Sequence, residues 1–313
     1  MVNSVRSLVL LLVTVLGLNV HAAVVDIVVF AGQSNATGVS ADYSTLAGST
    51  AVDDSTPFFY DIQGGTAAAT HHTSFDLNTT LSGVSVQIAA GDPETPNRFG
   101  PEVGFARKIA ELDAAFNLAV LKVSFGNSLV ADWQKSTPGD FGDAYGERLI
   151  AGVNSAISLI TGNGDTPAIR GLVWTHGERD STFLSNEVAA QYQESFEQFI
   201  SDFRADTGVA DLPVMMVELH PFYNGVAGAF RDTVRAEQTG FVSGDADGFM
   251  ISTSDLTLLS DNRHYGANEI FTIGERAAQS YFDNVSSVPE PVHGVIVGAA
   301  LVAWGFVRRT RRR

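Results

Sequence analysis

The first buried segment of the chain, residues 24–30, constrains the fold most strongly. It is a nearly continuous run of apolar and β-branched side chains that ends at Gly32. Such a run predicts a strand that is covered on both faces, as in a parallel sheet between two layers of helices. Ser34 follows two residues after Gly32. The sequence therefore places Ser34 beyond the carboxyl end of the first strand, where open α/β sheets bind their ligands.

The order of strand, loop and helix recurs along the chain. Further strands are predicted at residues 118–125, 168–174, 212–219 and 248–252, and helices at 99–110, 145–161, 186–206, 230–241 and 266–282. Residues 36–98 instead read as a long loop region with short strands at 58–63 and 84–88. This rhythm predicts an α/β fold, a three-layer α/β/α sandwich around a doubly wound parallel sheet, in one domain at residues 24–285.

Four polar clusters follow predicted strands or precede the last helix, namely residues 33–35, 126–128, 176–178 and 261–264. A parallel sheet brings such clusters together at one edge. Ser34 would attack a carbonyl carbon, His264 would accept its proton, and Asp261 would orient the imidazole. The backbone amides of Ser34 and Gly126, with a donor from His176, would stabilise the resulting oxyanion.

Each of these residues also has an ordinary structural interpretation. Ser34 and Asp261 are common helix N-cap or turn residues, Gly126 is a common turn residue, and His176 suits a satisfied polar position in a core. The convergence of four clusters favours catalysis. The paired histidines at 71–72 lie in a predicted polar loop without further ligands at useful spacing, so the sequence predicts no metal site.

Composition excludes several classes of function. The 313-residue chain has no cysteine, so disulfides, thiolate catalysis and Cys-based metal centres are excluded. Its net charge is −16, and six of its 19 basic residues lie at the two termini. That leaves 13 basic residues against 35 acidic ones between the ends, a balance that repels nucleic acid and anionic membranes.

Several short blocks occur in the order that is typical of one family. They are Gly32-Gln33-Ser34-Asn35, Phe99-Gly100-Pro101-Glu102, Gly126-Asn127-Ser128-Leu129, Trp174 with Gly177-Glu178 and Asp180, Val234-Arg235 with Gln238, and Asp261-x-x-His264. This pattern resembles the SGNH hydrolases of the sialate O-acetylesterase group, which includes the acetylxylan esterases of carbohydrate esterase family six. The resemblance implies a flavodoxin-like fold and removal of acetyl groups from sugars without a cofactor.

Carried over by position, the resemblance makes Ser34 the nucleophile and His264 its base, with Asp261 as the acidic partner. Gln33 and Asn35 would support the serine, and Glu178 is a second carboxylate that would assist the histidine. One departure concerns His176, because the family usually has glutamine there. A histidine donates only in one tautomer or when it is charged, so the resemblance predicts a weaker or pH-dependent oxyanion hole.

The two ends of the chain read as sorting signals. Residues 1–23 have the basic, apolar and small-residue regions of a signal peptide, with an uncleaved anchor as the alternative. Residues 286–313 combine a Val-Pro-Glu-Pro stretch, a short apolar span and a closing arginine cluster. This tail resembles a PEP-CTERM sorting signal, with a plain C-terminal anchor as the alternative. It implies an exported protein, processed by signal peptidase and an exosortase-like enzyme, that meets the membrane only through its tail.

Three functions fit the sequence. The first is a secreted serine esterase that deacetylates a polysaccharide or a sialic-acid-like sugar. The second is a general short-chain ester hydrolase of the same fold, against which the polar loops argue. The third is a surface carbohydrate-binding protein without catalysis, which the substitution at His176 keeps open and which the intact Ser34, Asp261 and His264 disfavour.

Overall fold

The computed structural model describes residues 22–64, 71–82, 97–135, 142–182, 185–223 and 228–285. These residues contain one sheet of seven strands in the order β3-β2-β4-β1-β5-β6-β7. The strands are β1 (Val24–Gly32), β2 (Phe58–Gln63), β3 (His71–Ser74), β4 (Leu118–Phe125), β5 (Thr166–Thr175), β6 (Val214–Val217) and β7 (Gly248–Ile251). Every neighbouring pair is parallel except β2 and β3, which are antiparallel.

Helices cover both faces of this sheet. They are α1 (Ser34–Thr37), α2 (Ala51–Ser55), α3 (Glu102–Leu112), α4 (Ala151–Gly162), α5 (Asn186–Ala190), α6 (Tyr192–Thr207), α7 (Gly228–Gly244) and α8 (Ala267–Asn284). The apolar sides of α3 and α8 pack on one face of the sheet, and those of α4, α6 and α7 pack on the other. Within the described ranges, no helix is both long enough and apolar enough to cross a membrane.

The predicted fold class is confirmed, because a largely parallel sheet lies between two helical layers. The strands predicted at 58–63 and 118–125 have the bounds of β2 and β4. The placement of the paired histidines in a loop was wrong, since they begin β3. The helix predicted at 186–206 is divided at Gln191, whose backbone leaves the helical region. The strand predicted at 84–88, residues 1–21 of the predicted signal peptide and the C-terminal tail lie outside the described residues.

The central strands are apolar because both of their faces are buried. In β1 the side chains of Ile27 and Val29 belong to one core cluster, and those of Val28 and Phe30 belong to the other. Full burial of a side chain of this size contributes about 1.5–3 kcal/mol to folding. The same requirement explains why residues 24–30 lack the alternation of a half-exposed strand.

Two glycines allow α3 and α8 to pack unusually close together. A Cβ atom at Gly104 would lie 2.0 Å from the carbonyl oxygen of Phe271, and one at Gly274 would lie 2.0 Å from that of Pro101. No side chain fits at either position without separating the helices. This contact fixes α8, and the loop that carries His264 leads directly into α8.

Candidate active site

The candidate site lies at the point where the strand order reverses. β1 pairs with β4 on one side and with β5 on the other, and Gly32 is in register with both Ser124 and Thr175. Because the crossovers on the two sides run in opposite directions, the carboxyl ends of these strands border a crevice. Ser34 leaves β1 at this crevice, as the sequence predicts.

A sharp turn directs Ser34 out of the sheet. Gly32 has φ +139°, and a Cβ atom there would lie 2.0 Å from the carbonyl oxygen of Thr175, so only glycine fits. Ser34 then opens the one-turn helix α1, which ends at Gly38 with φ 80°. The side chains on both sides of Ser34 are buried, whereas Ser34 itself is partly exposed. As the first residue of α1, Ser34 has a backbone N–H without a partner inside the helix.

His264 and Asp261 complete a hydrogen-bonded chain that starts at Ser34. The Nε2 atom of His264 lies 3.0 Å from Oγ of Ser34, and its Nδ1 atom lies 2.6 Å from Oδ2 of Asp261. A carboxylate only accepts, so Nδ1 carries the proton and Nε2 offers its lone pair to the serine hydroxyl. The structure thus brings together the three residues that the sequence proposes as a triad.

A turn in the backbone holds Asp261 in this arrangement. Its Oδ1 atom accepts the backbone N–H groups of Arg263 at 2.8 Å and His264 at 3.0 Å. Partial burial raises the pKa of Asp261, but the backbone N–H groups of His264 and Arg263 and the imidazole together lower it below its usual value. Asp261 is therefore ionised at neutral pH and stabilises a positive charge on the imidazole ring.

Glu178 binds the two residues on either side of Ser34. One carboxylate oxygen accepts a hydrogen bond from Nε2 of Gln33, and the other accepts one from Nδ2 of Asn35 at 2.6 Å. Glu178 is only 7% exposed, so these bonds lie away from solvent. Both oxygens are engaged here, and the carboxylate on the imidazole is that of Asp261. The structure places Glu178 with the serine segment rather than with His264.

Asn35 connects the serine segment to the histidine segment. Its Nδ2 atom also donates to the carbonyl oxygen of Arg263 at 3.1 Å, and its Oδ1 atom accepts the backbone N–H of Tyr265 at 3.3 Å. These two bonds hold the residues before and after His264. The distance between the serine and histidine side chains is therefore set by a buried amide and does not depend on their own hydrogen bond alone.

The structure does not bear out Gly126 as an oxyanion donor. Its backbone N–H donates to the carbonyl oxygen of Gln63 at 3.0 Å, which extends the pairing of β2 with β4 by one residue. An N–H that is already bonded in this way has no proton to offer an oxyanion. The next residue, Asn127, has φ 63°, and the left-handed backbone there turns the chain away from the sheet.

His176 is likewise unsuited to the role of oxyanion donor, because its side chain is fully buried. Its Nε2 atom lies 3.3 Å from Oγ of Ser128, and its Nδ1 atom lies 3.5 Å from a carboxylate oxygen of Asp180. The ring stacks on Trp174 at 4.9 Å between centroids. Burial lowers the pKa of His176 to about 3, so the ring is neutral. It joins the loops after β4 and β5 from beneath the site.

Two residues near the site have roles that the sequence does not predict, although Asp180 belongs to one of the family blocks. Asp180 accepts the backbone N–H of Val130 at 3.1 Å and so fixes the loop after β4. Tyr223 follows β6, is 7% exposed, and lies within electrostatic range of Glu178 and Asp261. The spacing of Asp180 from Glu178 was a visible signal. No pattern in the sequence singles out Tyr223.

The structure is thus a three-layer α/β protein with a hydrogen-bonded serine, histidine and aspartate at the carboxyl edge of its sheet. The family described as carbohydrate esterase, sialic acid-specific acetylesterase, matches residues 24–283. The chain belongs to this family, and its enzyme class is that of a carbohydrate O-acetylesterase. Among the curated proteins, none matches this chain.

Solved structures share the fold at low sequence identity. A protein from Arabidopsis thaliana is 19% identical with a TM-score of 0.59, and the alignment covers 83% of this chain and 98% of that one. A carbohydrate acetylesterase from Xanthomonas citri is 15% identical with a TM-score of 0.55, covering 84% of this chain and 57% of that one. A protein named NanS is 13% identical with a TM-score of 0.53, and the alignment covers 84% of this chain and 98% of that one. These similarities extend over the whole sandwich.

Proposed function

We propose that this protein removes O-acetyl groups from carbohydrate through a Ser34–His264–Asp261 triad and an acetyl-serine intermediate. The observation that carries the proposal is the continuous chain of two hydrogen bonds, 3.0 Å from Ser34 Oγ to His264 Nε2 and 2.6 Å from His264 Nδ1 to Asp261. Both distances are within the reach that a nucleophile, its base and the orienting acid require.

The reaction proceeds in two balanced steps. Ser34 Oγ bonds to the acetyl carbon while its proton passes to His264 Nε2, and the C–O bond to the sugar breaks as the imidazolium returns that proton to the sugar oxygen. Water then attacks the acetyl-serine, gives one proton to His264, and releases acetate as Ser34 recovers its hydrogen. Asp261 keeps the imidazole in the productive tautomer and balances its transient charge.

The Ser34 backbone N–H is the donor that we assign to the oxyanion. It lies on the same residue as the nucleophile, at the start of α1, where no helical acceptor competes for it. Gly126 and His176 are not part of this assignment, because the first is bonded to Gln63 and the second is fully buried. His176 acts instead as a packed, neutral link between two loops.

We further propose that the enzyme acts outside the cytoplasm on an acetylated polysaccharide or a sialic-acid-like sugar. The composition of residues 1–23 and 286–313 supports export and processing of the tail by an exosortase-like enzyme. The acidic surface supports a substrate other than nucleic acid. The name of the structural relative from Xanthomonas citri, a carbohydrate acetylesterase, supports the same class of substrate.

Acetate release tests this function. The purified protein is incubated with acetylated xylan, acetylated mannan and O-acetylated sialic acid, beside Ser34→Ala and the control Ser155→Ala. Ser155 is partly exposed on α4, and its hydroxyl donates to Ala151 of the same helix, so its replacement leaves activity unchanged. We expect release by the parent and the control, and none by Ser34→Ala. Equal release by all three proteins would contradict the triad.

A further inference from the structure

Almost every positive side chain in the described part of the protein is neutralised by an acidic one. Eleven lysine and arginine side chains form ion pairs, including the fully buried pair of Lys122 with Glu102 at 3.1 Å. Arg263 is exposed and forms no ion pair with any residue that the structure describes. In a chain of net charge −16, an unneutralised arginine is unusual and needs a physical reason.

Arg263 lies immediately before His264, and its backbone is held in the site. Its carbonyl oxygen accepts a hydrogen bond from Nδ2 of Asn35 at 3.1 Å, and its backbone N–H donates one to Oδ1 of Asp261 at 2.8 Å. The nearby carboxylates are already engaged, since Asp261 holds His264 and Glu178 holds the serine segment. The Arg263 backbone is therefore fixed beside the nucleophile, and its exposed guanidinium carries five N–H donors that form no ion pair among the described residues.

Aromatic side chains from the loop after β6 border the same place. Burial raises the pKa of the Tyr223 phenol, which also experiences the charges of Glu178 and Arg263. Phe222 is 70% exposed, and its ring lies 5.7 Å from that of His220. The His220 ring in turn lies 5.9 Å from that of Tyr265, the residue after the catalytic histidine. An exposed apolar ring and an unneutralised cation thus flank the triad.

We propose that Arg263 binds a carboxylate of the substrate, so that the enzyme prefers acetylated sugars with a carboxylate close to the ester, while Phe222 covers the apolar face of the sugar ring. This inference rests on the proposed esterase function and adds the charge of the sugar to it. Guanidinium and carboxylate match in a bidentate geometry, which gives orientation as well as affinity. The carboxylate belongs either to a uronic acid or to a sialic acid.

The preference is measured as a ratio of kcat/KM values for acetate release. O-acetylated methyl galacturonoside is compared with the O-acetylated methyl galactoside, its neutral counterpart, and O-acetylated sialic acid provides the second carboxylate source. Arg263→Gln and Arg263→Lys are compared with Lys108→Gln, which removes a positive charge that pairs with Glu111 on α3. The neutral substrate reports on the triad, and the ratio reports on Arg263.

We expect the parent to prefer the acidic sugar, and Arg263→Gln to lower the ratio by about tenfold, as for loss of a hydrogen bond between charged groups. Arg263→Lys lowers it less, because the charge remains without the bidentate geometry. Lys108→Gln leaves it unchanged. A larger loss on galacturonoside than on sialic acid identifies the uronic acid as the source, and the reverse identifies sialic acid.

Three results overturn the inference while leaving the esterase intact. They are a parent enzyme without preference for either acidic sugar, an unchanged ratio in Arg263→Gln, and an equal loss on acidic and neutral sugars, which would make Arg263 a support for the triad. Failure of the proposed function looks different, since no substrate would release acetate. Calorimetry of Ser34→Ala with galacturonate and galactose then tests the carboxylate contact separately, and equal affinities refute it.

Discussion

Replacement of Glu178 tests how the nucleophile is held in place. In the structure its two carboxylate oxygens accept from Gln33 and Asn35, the two neighbours of Ser34, and its side chain is almost fully buried. Glu178→Ala removes both acceptors and leaves one N–H of the Gln33 amide and one N–H of the Asn35 amide buried without a partner. Each such loss costs about 1–3 kcal/mol, so we expect the free energy of unfolding to fall by about 2–6 kcal/mol. Glu178→Gln retains one acceptor oxygen, so we expect its free energy of unfolding to fall by about half as much.

The effect on catalysis follows from the same contacts. Without Glu178, Asn35 loses the partner that orients the amide linking the serine and histidine segments. A displacement of about 1 Å between reacting groups lowers kcat by about a hundredfold. Urea denaturation gives the stability, and acetate release gives kcat for folded protein. Glu111→Gln, which breaks a surface pair with Lys108, is the matched control and changes stability by about 0.5 kcal/mol or less.

The reasoning about Glu178 would be refuted if Glu178→Ala unfolded at the same urea concentration as the parent. Full stability with a large loss of kcat would be equally informative. It would mean that Glu178 acts on His264 during the reaction, as the family resemblance suggests, rather than on Gln33 and Asn35. A parallel loss of stability and rate is the outcome that the observed hydrogen bonds predict.

Three further predictions concern packing, the triad and pH. Gly104→Ala brings a methyl group to 2.0 Å from a carbonyl oxygen of α8, and we expect it to lower the free energy of unfolding by about 1–3 kcal/mol or more. Gly162→Ala has no atom within 4 Å of the new methyl group and changes the free energy of unfolding by less than about 1 kcal/mol. Thermal unfolding of the two variants measures this difference. Asp261→Asn lowers kcat of the folded protein by about 10³–10⁴-fold, because His264 loses its productive tautomer, and comparable kcat values would contradict the triad. Burial lowers the pKa of His176 from its ordinary value near 6.5 to about 3, so the unfolded chain binds the proton more readily in that window. Acidification there lowers the stability of the parent by up to about 1.4 kcal/mol per pH unit. His176→Gln removes this pH-dependent loss of stability. If the free energies of unfolding of the two proteins changed in parallel from pH 4 to 6, the lowered pKa of His176 would be contradicted.

The sequence predicts the parts of this structure that depend on local pattern. The unbroken apolar run of residues 24–30 requires a strand covered on both faces, and β1 is such a strand. The three-residue spacing of Asp261 and His264 places carboxylate and imidazole on one turn, and the two side chains meet there. The position of Ser34 at the switch point follows from the order of strand and loop.

The two wrong oxyanion assignments depend on contacts between segments that are distant in the sequence. The Gly126 amide is occupied because the ladder continues one residue past the end of β4, where the Gly126 N–H donates to Gln63 of β2. His176 is buried because Trp174 and the loop after β4 enclose it, which requires the tertiary packing. The strand β3 has a polar sequence, and only its pairing with β2 makes it a strand.

The bridge formed by Asn35 illustrates the same limit. Asparagine after the nucleophile is visible in the sequence, and the family resemblance marks it as supporting. Its partners, Glu178 and the backbone beside His264, lie 143 and about 230 positions away. A single sequence contains no signal for such pairings, because they arise only when the carboxyl ends of three strands meet.

Mass spectrometry of the acetylated intermediate identifies the residue that acts as the nucleophile. The purified protein is mixed with p-nitrophenyl acetate, quenched in acid within the first turnover, digested and analysed by mass spectrometry. We expect one added acetyl group on the peptide that contains Ser34, and none on that peptide in Ser34→Ala. Acetate release with an acetyl group on another residue, or undiminished release by Ser34→Ala, would contradict the assignment of Ser34 as the nucleophile.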